Sequence, residues 1–392
     1  MRVLIIGGTG ILSTDICQRA VEEGMEVYCI NRGKHSAFQS DKVNVITANI
    51  RHSQEVASKI GNLTFDVVVD FLSYTPDQLR SSLSLFNHKC EQYIYISSAT
   101  AYHKRSEDEV ITEETPLGNQ AWKYGQDKVK CEEIMRENFE QTGQKYTIIR
   151  PYVTYGKTRI PYAIIPNHQP WSWLNRIYTG KPIVLWDSGK AKCTLTNTLD
   201  FSIGVVGLFQ NEKAYNEAFH ITSEEPMTWK KALEETIAAI GVQPTVLDMN
   251  SSYIAKVLPE YRGVLFGDKG TNMVFNNQKI KSAVPEFSCK IPFHEGIQTT
   301  IDFLNQAEFM HEVDYKWDAR LDHLISVYYR KNKIPFDRKL LRCVRSDRSV
   351  TGKEKIKYTI CRYNILYYPF EYSWRFIKWT KNKLKRILGK QV

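Results

Sequence analysis

What the 392-residue chain lacks narrows its class first. Its apolar runs, such as Val3–Ile6 and Val67–Val69, are short. None approaches the roughly 18–20 residues that a membrane-spanning helix needs. The N-terminus reads directly as a buried strand, with no charged stretch leading into a long apolar core, so no secretory leader is expected. The eight cysteines include no Cys-x-x-Cys pair. That spacing argues against zinc and for reduced thiols in a cytoplasmic protein. No internal repeat or low-complexity tract is visible. What is present is a large apolar fraction, 42%, enough for a sizeable core. Charge is unevenly placed: residues 330–392 hold 19 Lys/Arg against four Asp/Glu, so the net +10 belongs to this stretch and the rest of the chain is acidic.

Over residues 1–150, short β-rich runs alternate with stretches of helical spacing. Val3–Ile6, Glu26–Ile30, Val43–Thr47, Val67–Phe71, Gln92–Ser97 and Tyr146–Arg150 read as strands. This alternation predicts an α/β architecture with a parallel, doubly wound sheet. Residues 151–310 are proline-interrupted and read as a smaller α/β lobe, with a helix expected over 229–240. Residues 311–392 read as a helical extension whose last part is basic and aromatic.

Gly7-Gly8-Thr9-Gly10-Ile11-Leu12-Ser13 joins the first strand to a helix. Glycines at such a turn let the backbone approach a pyrophosphate, and the helix N-terminus supplies free N–H groups and a positive dipole end. Gly7, Gly10, Ile11 and Leu12 are therefore candidate dinucleotide contacts. The second strand ends in Asn31-Arg32, without the acid that would bind the ribose of NAD. Arg32 suits a 2′-phosphate, which favours NADP(H) over NAD(H); an NAD ribose held by Asn31 is the alternative. Asn49 and Ile50 follow the third strand, where adenine would lie. Leu72 follows the fourth, near the nicotinamide ribose. Pro151, after the sixth, completes the cofactor set.

The fifth strand runs into Ser97-Ser98-Ala99-Thr100, placing a serine at the crevice. Downstream, Tyr124 and Lys128 share a helix face at i, i+4. A tyrosine ordinarily titrates near pH 10, so use as a base at neutral pH requires nearby positive charge. Lys128 and an oxidised nicotinamide would supply it, and Ser98 would share the substrate proton. The hydride chemistry belongs to the cofactor.

In this order, GGTGxxxS, SSAxAY, YGxxK and Arg150-Pro151-Tyr152-Val153-Thr154-Tyr155-Gly156 resemble the extended short-chain dehydrogenase/reductases, also called the NAD-dependent epimerase/dehydratase family. The resemblance covers about residues 1–310 and implies a Rossmann-type fold. It also implies catalysis by Ser98, Tyr124 and Lys128, a nucleotide-sugar substrate and a homodimer. Several positions depart from the family pattern. Asn49 replaces an acid, and Asn197-Thr198-Leu199-Asp200 keeps one of two late acids. Ala99-Thr100 stands where 4,6-dehydratases carry Asp-Glu, which leaves epimerase or ketoreductase as the implied activity. Parts of 151–201 also resemble atypical members similar to chloroplast stem-loop-binding proteins. A non-catalytic scaffold binding RNA or a membrane complex is the alternative reading.

In the smaller lobe, Tyr152, Thr154, Lys157, Trp171 and Arg176 are candidate sugar contacts. Residues 363–392 interleave Lys/Arg with Trp and Phe, and a helix from about residue 370 gathers Phe370, Trp374, Ile377, Leu384, Ile387 and Leu388 on one side. Such a helix suits an anionic membrane surface, which places the protein in the cytoplasm or peripheral on the inner face of a membrane. No recognised nucleic-acid motif accompanies the basic residues, so nucleic acid is not the expected partner.

Overall fold

The computed structural model describes residues 1–33, 40–104, 106–166 and 168–387, with backbone alone at 375, 377–379 and 381–387. Among the described residues twelve strands carry the architecture: β1 (Arg2–Ile6), β2 (Glu26–Asn31), β3 (Asn44–Thr47), β4 (Phe65–Asp70), β5 (Cys90–Ile96), β6 (Lys145–Pro151), β7 (Val153–Tyr155), β8 (Ile183–Trp186), β9 (Lys192–Asn197), β10 (Glu217–Ile221), β11 (Pro226–Thr228) and β12 (Val246–Met249). Seven form a parallel sheet in the order β10-β6-β5-β4-β1-β2-β3. Helices α1 (Ile11–Glu22), α2 (Ser53–Ile60), α3 (Pro76–Phe86) and α4 (Lys123–Thr142) connect them.

Near-continuous apolar runs such as VLII and VVV arise because this sheet is covered on both faces. Side chains alternate along each strand. Val3, Ile5, Val67, Val69 and Ile149 therefore pack with Ile16, Cys17 and Phe201 on one side. Leu4, Ile6, Val68, Tyr93 and Ile148 pack with Leu79, Leu83 and Ile134 on the other. The strand order reverses at β1, which pairs with β2 on one side and β4 on the other. Ligands of open α/β sheets bind in the crevice beyond the strand C-termini at that point.

The second lobe contains a three-stranded sheet that includes β9 and β7, a two-stranded one that includes β8, and the expected helix at Trp229–Ile240. Its core is aromatic: Tyr162 lies 5.4 Å from Trp173 and 5.1 Å from Trp186, and Trp186 lies 5.3 Å from Trp229, between ring centroids. Helix Tyr315–Lys331 contributes Trp317, Leu321 and Leu324 to the same core. The terminal helix spans Asn364–Ile387 and so begins six residues before the expected start, with Pro369 inside it. Its first turns dock on the body through the buried Tyr367 and a 2.8 Å Lys316–Glu371 ion pair. Phe370 and Trp374 of the expected stripe are exposed; the side chains of Ile377, Leu384, Ile387 and Leu388 lie outside the described residues. Among the described residues no helix is long and apolar enough to cross a membrane.

Candidate functional site

The turn after β1 is built for close approach. Gly7 has φ +94°, and a Cβ there would come within 2.8 Å of Leu72 Cγ. Ser13, where a third glycine is usual, ties the loop together: its hydroxyl donates to Gly7 O at 2.6 Å and accepts from Gly10 N at 2.9 Å. Helix α1 thus starts at a fixed angle below the strand end, with its N-terminus facing the crevice.

At the end of β4, Asp70 organises the neighbouring wall. Its carboxylate accepts from Leu72 N (2.8 Å), Ser73 N (3.0 Å), Ser73 Oγ (2.5 Å) and Tyr93 Oη (2.8 Å). Beyond β5, Thr100 donates from N and Oγ1 to Ser98 Oγ at 3.2 and 2.9 Å. Helix α4 carries Tyr124 and Lys128. The Lys128 ammonium donates to Ser73 O (3.0 Å), Tyr95 Oη (3.0 Å) and Ile96 O (2.7 Å), and lies 5.8 Å from the Tyr124 ring centroid. Glu132, one turn on, accepts Ser97 Oγ at 2.6 Å and takes Arg150 in a two-pronged pair at 3.0 and 2.7 Å. This buried pair fixes α4 against β5 and β6.

Burial lowers the Lys128 pKa to about 8. Burial raises the Tyr124 phenol to about 12; the Ser98 hydroxyl beside it pulls the other way, as does the Arg159 charge, while Asp268 adds to the rise. Without a cofactor, then, Tyr124 is a neutral phenol at physiological pH.

Gly7, Gly10, Ile11, Leu12, Leu72, Ser98, Tyr124, Lys128, Pro151, Tyr152 and Thr154 line one cleft of about 410 Å³, together with Trp122, Arg159, Asp268 and Lys269. Asn31, Arg32, Asn49 and Ile50 lie outside that volume, at the ends of β2 and β3. Asn31 is buried and accepts Gly33 N at 2.8 Å, whereas Arg32 is exposed. Asn49 closes its own turn, accepting Arg51 N at 3.1 Å. Lys157 is exposed.

Two expected sugar contacts are corrected. Arg176 is fully buried; it donates to Asp318 (2.5 Å), Asp322 (2.8 Å) and Pro182 O, so it clamps helix Tyr315–Lys331 and does not reach the cleft. Trp171 stacks on His311 with centroids 3.4 Å apart, which places it in packing. A second, polar cavity of about 310 Å³, lined in part by Glu113, Arg150 and Lys279, contains none of the predicted site residues.

The sequence reading missed Asp70, Tyr95, Trp122, Arg159, Asp268 and Lys269. Asp70 and Tyr95 could have been marked as polar side chains at the C-terminal ends of central strands. The other four reach the cleft from loops and turns that carry no periodic signal.

A doubly wound parallel sheet whose first strand runs through a glycine turn into a helix N-terminus is the Rossmann-type fold. Residues 3–221 match the NAD dependent epimerase/dehydratase family, and the chain belongs to it. It is 27% identical over 263 residues to the chloroplast stem-loop binding protein of 41 kDa b of Arabidopsis thaliana, covering 64% of this chain and 66% of that protein. It is 23% identical over 247 residues to 2′-dehydrokanamycin reductase of Streptomyces kanamyceticus, covering 62% and 67%. The chain thus spans about two thirds of the length of each. Among solved structures, UDP-glucose 4-epimerase of Thermus thermophilus in complex with NAD shares the fold with a TM-score of 0.64 at 17% identity, over 78% of this chain and all of that one.

Proposed function

We propose that this chain is an NAD(P)-dependent sugar epimerase or ketoreductase, with NADP(H) preferred over NAD(H), that moves a proton at a hydroxyl of a nucleotide-linked sugar. The observation that supports it most is the meeting of the glycine turn with Ser98, Tyr124 and Lys128 in one cleft. The cradle fits a dinucleotide, because Gly7, Gly10, Ile11 and Leu12 line the cleft, so that the start of α1 opens onto it, and a side chain at Gly7 would crowd Leu72. Gly7, Gly10, Ile11 and Leu12 would hold the diphosphate, Asn49 and Ile50 the adenine, and Arg32, or Asn31 for NAD, the ribose end. Leu72, Lys128 and Pro151 would hold the nicotinamide end. Bound there, the cofactor supplies reversible hydride exchange with a sugar carbon. Tyr124 takes and returns the hydroxyl proton, Ser98 shares it, and Lys128 brings positive charge toward the phenol. Tyr152 and Thr154 face the sugar. Ala99-Thr100, where 4,6-dehydratases carry Asp-Glu, supports epimerase or ketoreductase over dehydratase.

The test is to denature the purified protein, identify any released nucleotide by mass spectrometry, and titrate the stripped protein with NADPH and NADH. A retained dinucleotide supports an epimerase, which recycles its hydride; an empty site that takes up NADPH reversibly supports a reductase. Binding of neither sinks the enzyme reading. A second reading, a non-catalytic binder of RNA, is favoured by the match to a stem-loop binding protein. Salt-sensitive RNA binding that survives Tyr124→Phe, with no turnover in either form, would select it. The exposed Phe370, Tyr372 and Trp374 of the terminal helix, with the basic sequence that follows them, support a cytoplasmic protein peripheral on an anionic membrane, and the family resemblance supports a homodimer.

A further inference from the structure

One wall of the cleft is not used by the proton-transfer residues. It is the turn Leu265–Lys269, wound as a single π-helical turn. Such turns recur at functional sites. Its docking is tight. Asn119 Nδ2 donates to Gly267 O at 2.6 Å and to Thr100 O at 2.8 Å. Trp122 covers Gly263 and Gly267 so closely that a Cβ on either would come within 2.2 and 2.7 Å of it. Trp186 Nε1 donates to Lys269 O at 3.0 Å. Thr100, Asn119 and Trp122 flank the start of α4, so this turn and Tyr124 are fixed relative to each other.

The turn carries Asp268, which is 4% exposed. Its Oδ2 accepts from Lys269 Nζ at 2.6 Å, but its Oδ1 has no partner. The Tyr152 hydroxyl, buried in the same cleft, has none either. Leaving a buried carboxylate oxygen and a buried phenol unpaired is costly, and groups so left are expected to meet a ligand. Arg159 lines the same space, and among the described residues no carboxylate lies within ion-pair distance of it.

We propose that Asp268 Oδ1 and the Tyr152 hydroxyl form a subsite for one free sugar hydroxyl next to the carbon handled by Tyr124, which makes Asp268 a specificity residue. The inference rests on the nucleotide-sugar reading. A hydroxyl donates to the carboxylate and accepts from the phenol through one atom. An ammonium would satisfy Asp268 but meet Lys269 and Arg159. A carboxylate would satisfy Tyr152 and Arg159 but face Asp268. A deoxygenated carbon satisfies none of them.

The experiment is calorimetry on cofactor-saturated protein with two probes, UDP-glucose and UDP. The wild type binds UDP-glucose more tightly than UDP, and Asp268→Ala weakens UDP-glucose by roughly 10- to 100-fold while UDP and cofactor affinities hold. Asp268→Asn, which keeps an acceptor oxygen, recovers part of the loss. Unchanged UDP-glucose affinity in Asp268→Ala overturns the proposal. Should that variant fail to fold, wild-type protein is titrated with UDP-glucose lacking the hydroxyl at C3 or at C6. A comparable loss on one analogue supports the subsite, and equal binding of both overturns it. Wild-type protein that takes up cofactor but neither UDP-glucose nor UDP, nor the corresponding dTDP and GDP probes, overturns the nucleotide-sugar reading itself and the subsite with it.

Discussion

Lys128 donates to the Tyr95 hydroxyl at 3.0 Å, and the carbonyls of Ser73 and Ile96 take its other two protons. With all three donors engaged, the ammonium acts on Tyr124 through its charge, from 5.8 Å off the ring centroid, and reaches a ribose only by exchanging one of these acceptors. Lys128 is thus held in place before any cofactor arrives.

From this follows a prediction about Tyr124. Its phenol is pushed up to about 12 by burial. An ultraviolet difference titration of wild type against Tyr124→Phe should find it protonated through the neutral range without cofactor and shifted down when oxidised cofactor is added. Tyr124→Phe should lower turnover by roughly 10²–10⁴-fold with cofactor affinity retained. A phenol that does not move on cofactor binding would contradict its assignment as the base.

Arg32 gives a prediction on cofactor choice. It is exposed at the end of β2, while Asn31 spends its side-chain oxygen on Gly33 N at 2.8 Å. Arg32→Ala should weaken NADPH by roughly 10-fold, the scale of one charge-assisted contact, and leave NADH unchanged. Equal loss of both, measured by fluorescence titration, would remove Arg32 from the 2′-phosphate role.

The parallel sheet was legible because its strands are covered on both faces and read as unbroken apolar runs. The glycine turn, Ser98, Tyr124 and Lys128 were legible because each sits at a strand end or a helix start, where spacing sets position. Arg176 misled because a cation in a substrate lobe resembles a ligand contact. Its partners, Asp318 and Asp322, lie more than 140 residues away in the chain and leave no local trace. Asp268 was invisible for the same reason: a π-helical turn has no periodic signature, and its value as a site comes from Trp122 and Asn119, far off in sequence.

His220 makes stability fall with acid. Burial, and then the Arg150 and Lys279 charges, lower its pKa from 6.5 to about 4; the Asn276 carbonyl at 2.7 Å works the other way, and Glu113 and Tyr102 face the ring. Between pH 6.5 and 4 the unfolded chain binds the proton and the folded one does not, so stability drops as pH falls through that window. The drop is on the order of 3 kcal/mol and levels off below the folded pKa. Urea titrations should find it, and His220→Gln should flatten part of it. His323, lowered likewise to about 4, keeps a residual slope.

Asp322 should be among the costliest positions to change in the second lobe. It meets Arg176 (2.8 Å), Lys181 (2.9 Å), the Tyr358 hydroxyl (2.6 Å) and Arg362 (3.3 Å), with no exposure. Asp322→Ala would leave buried cations with one carboxylate, Asp318, between them. Breaking such a set costs roughly 3–5 kcal/mol. A denaturation midpoint within experimental error of wild type would mean the network contributes nothing.

The terminal helix yields the last prediction. Phe370, Tyr372 and Trp374 are exposed, and from residue 375 onward the chain has seven Lys/Arg and no acid. Basic residues near an anionic bilayer contribute about 1 kcal/mol each, and aromatic rings at the interface add to this. The first turns of the helix also dock on the body: Arg320 stacks over Tyr367 at 4.1 Å and donates to Asn364 at 2.5 Å. Truncation should therefore fall after Ser373, which leaves the docking contacts in place and removes the basic segment. The full chain should sediment with phosphatidylserine-containing vesicles, less so at high salt, and not with neutral ones. The truncated chain should stay in the supernatant with cofactor affinity unchanged. Sedimentation of the truncated chain to the same extent would mean that the body, and not this helix, meets the membrane.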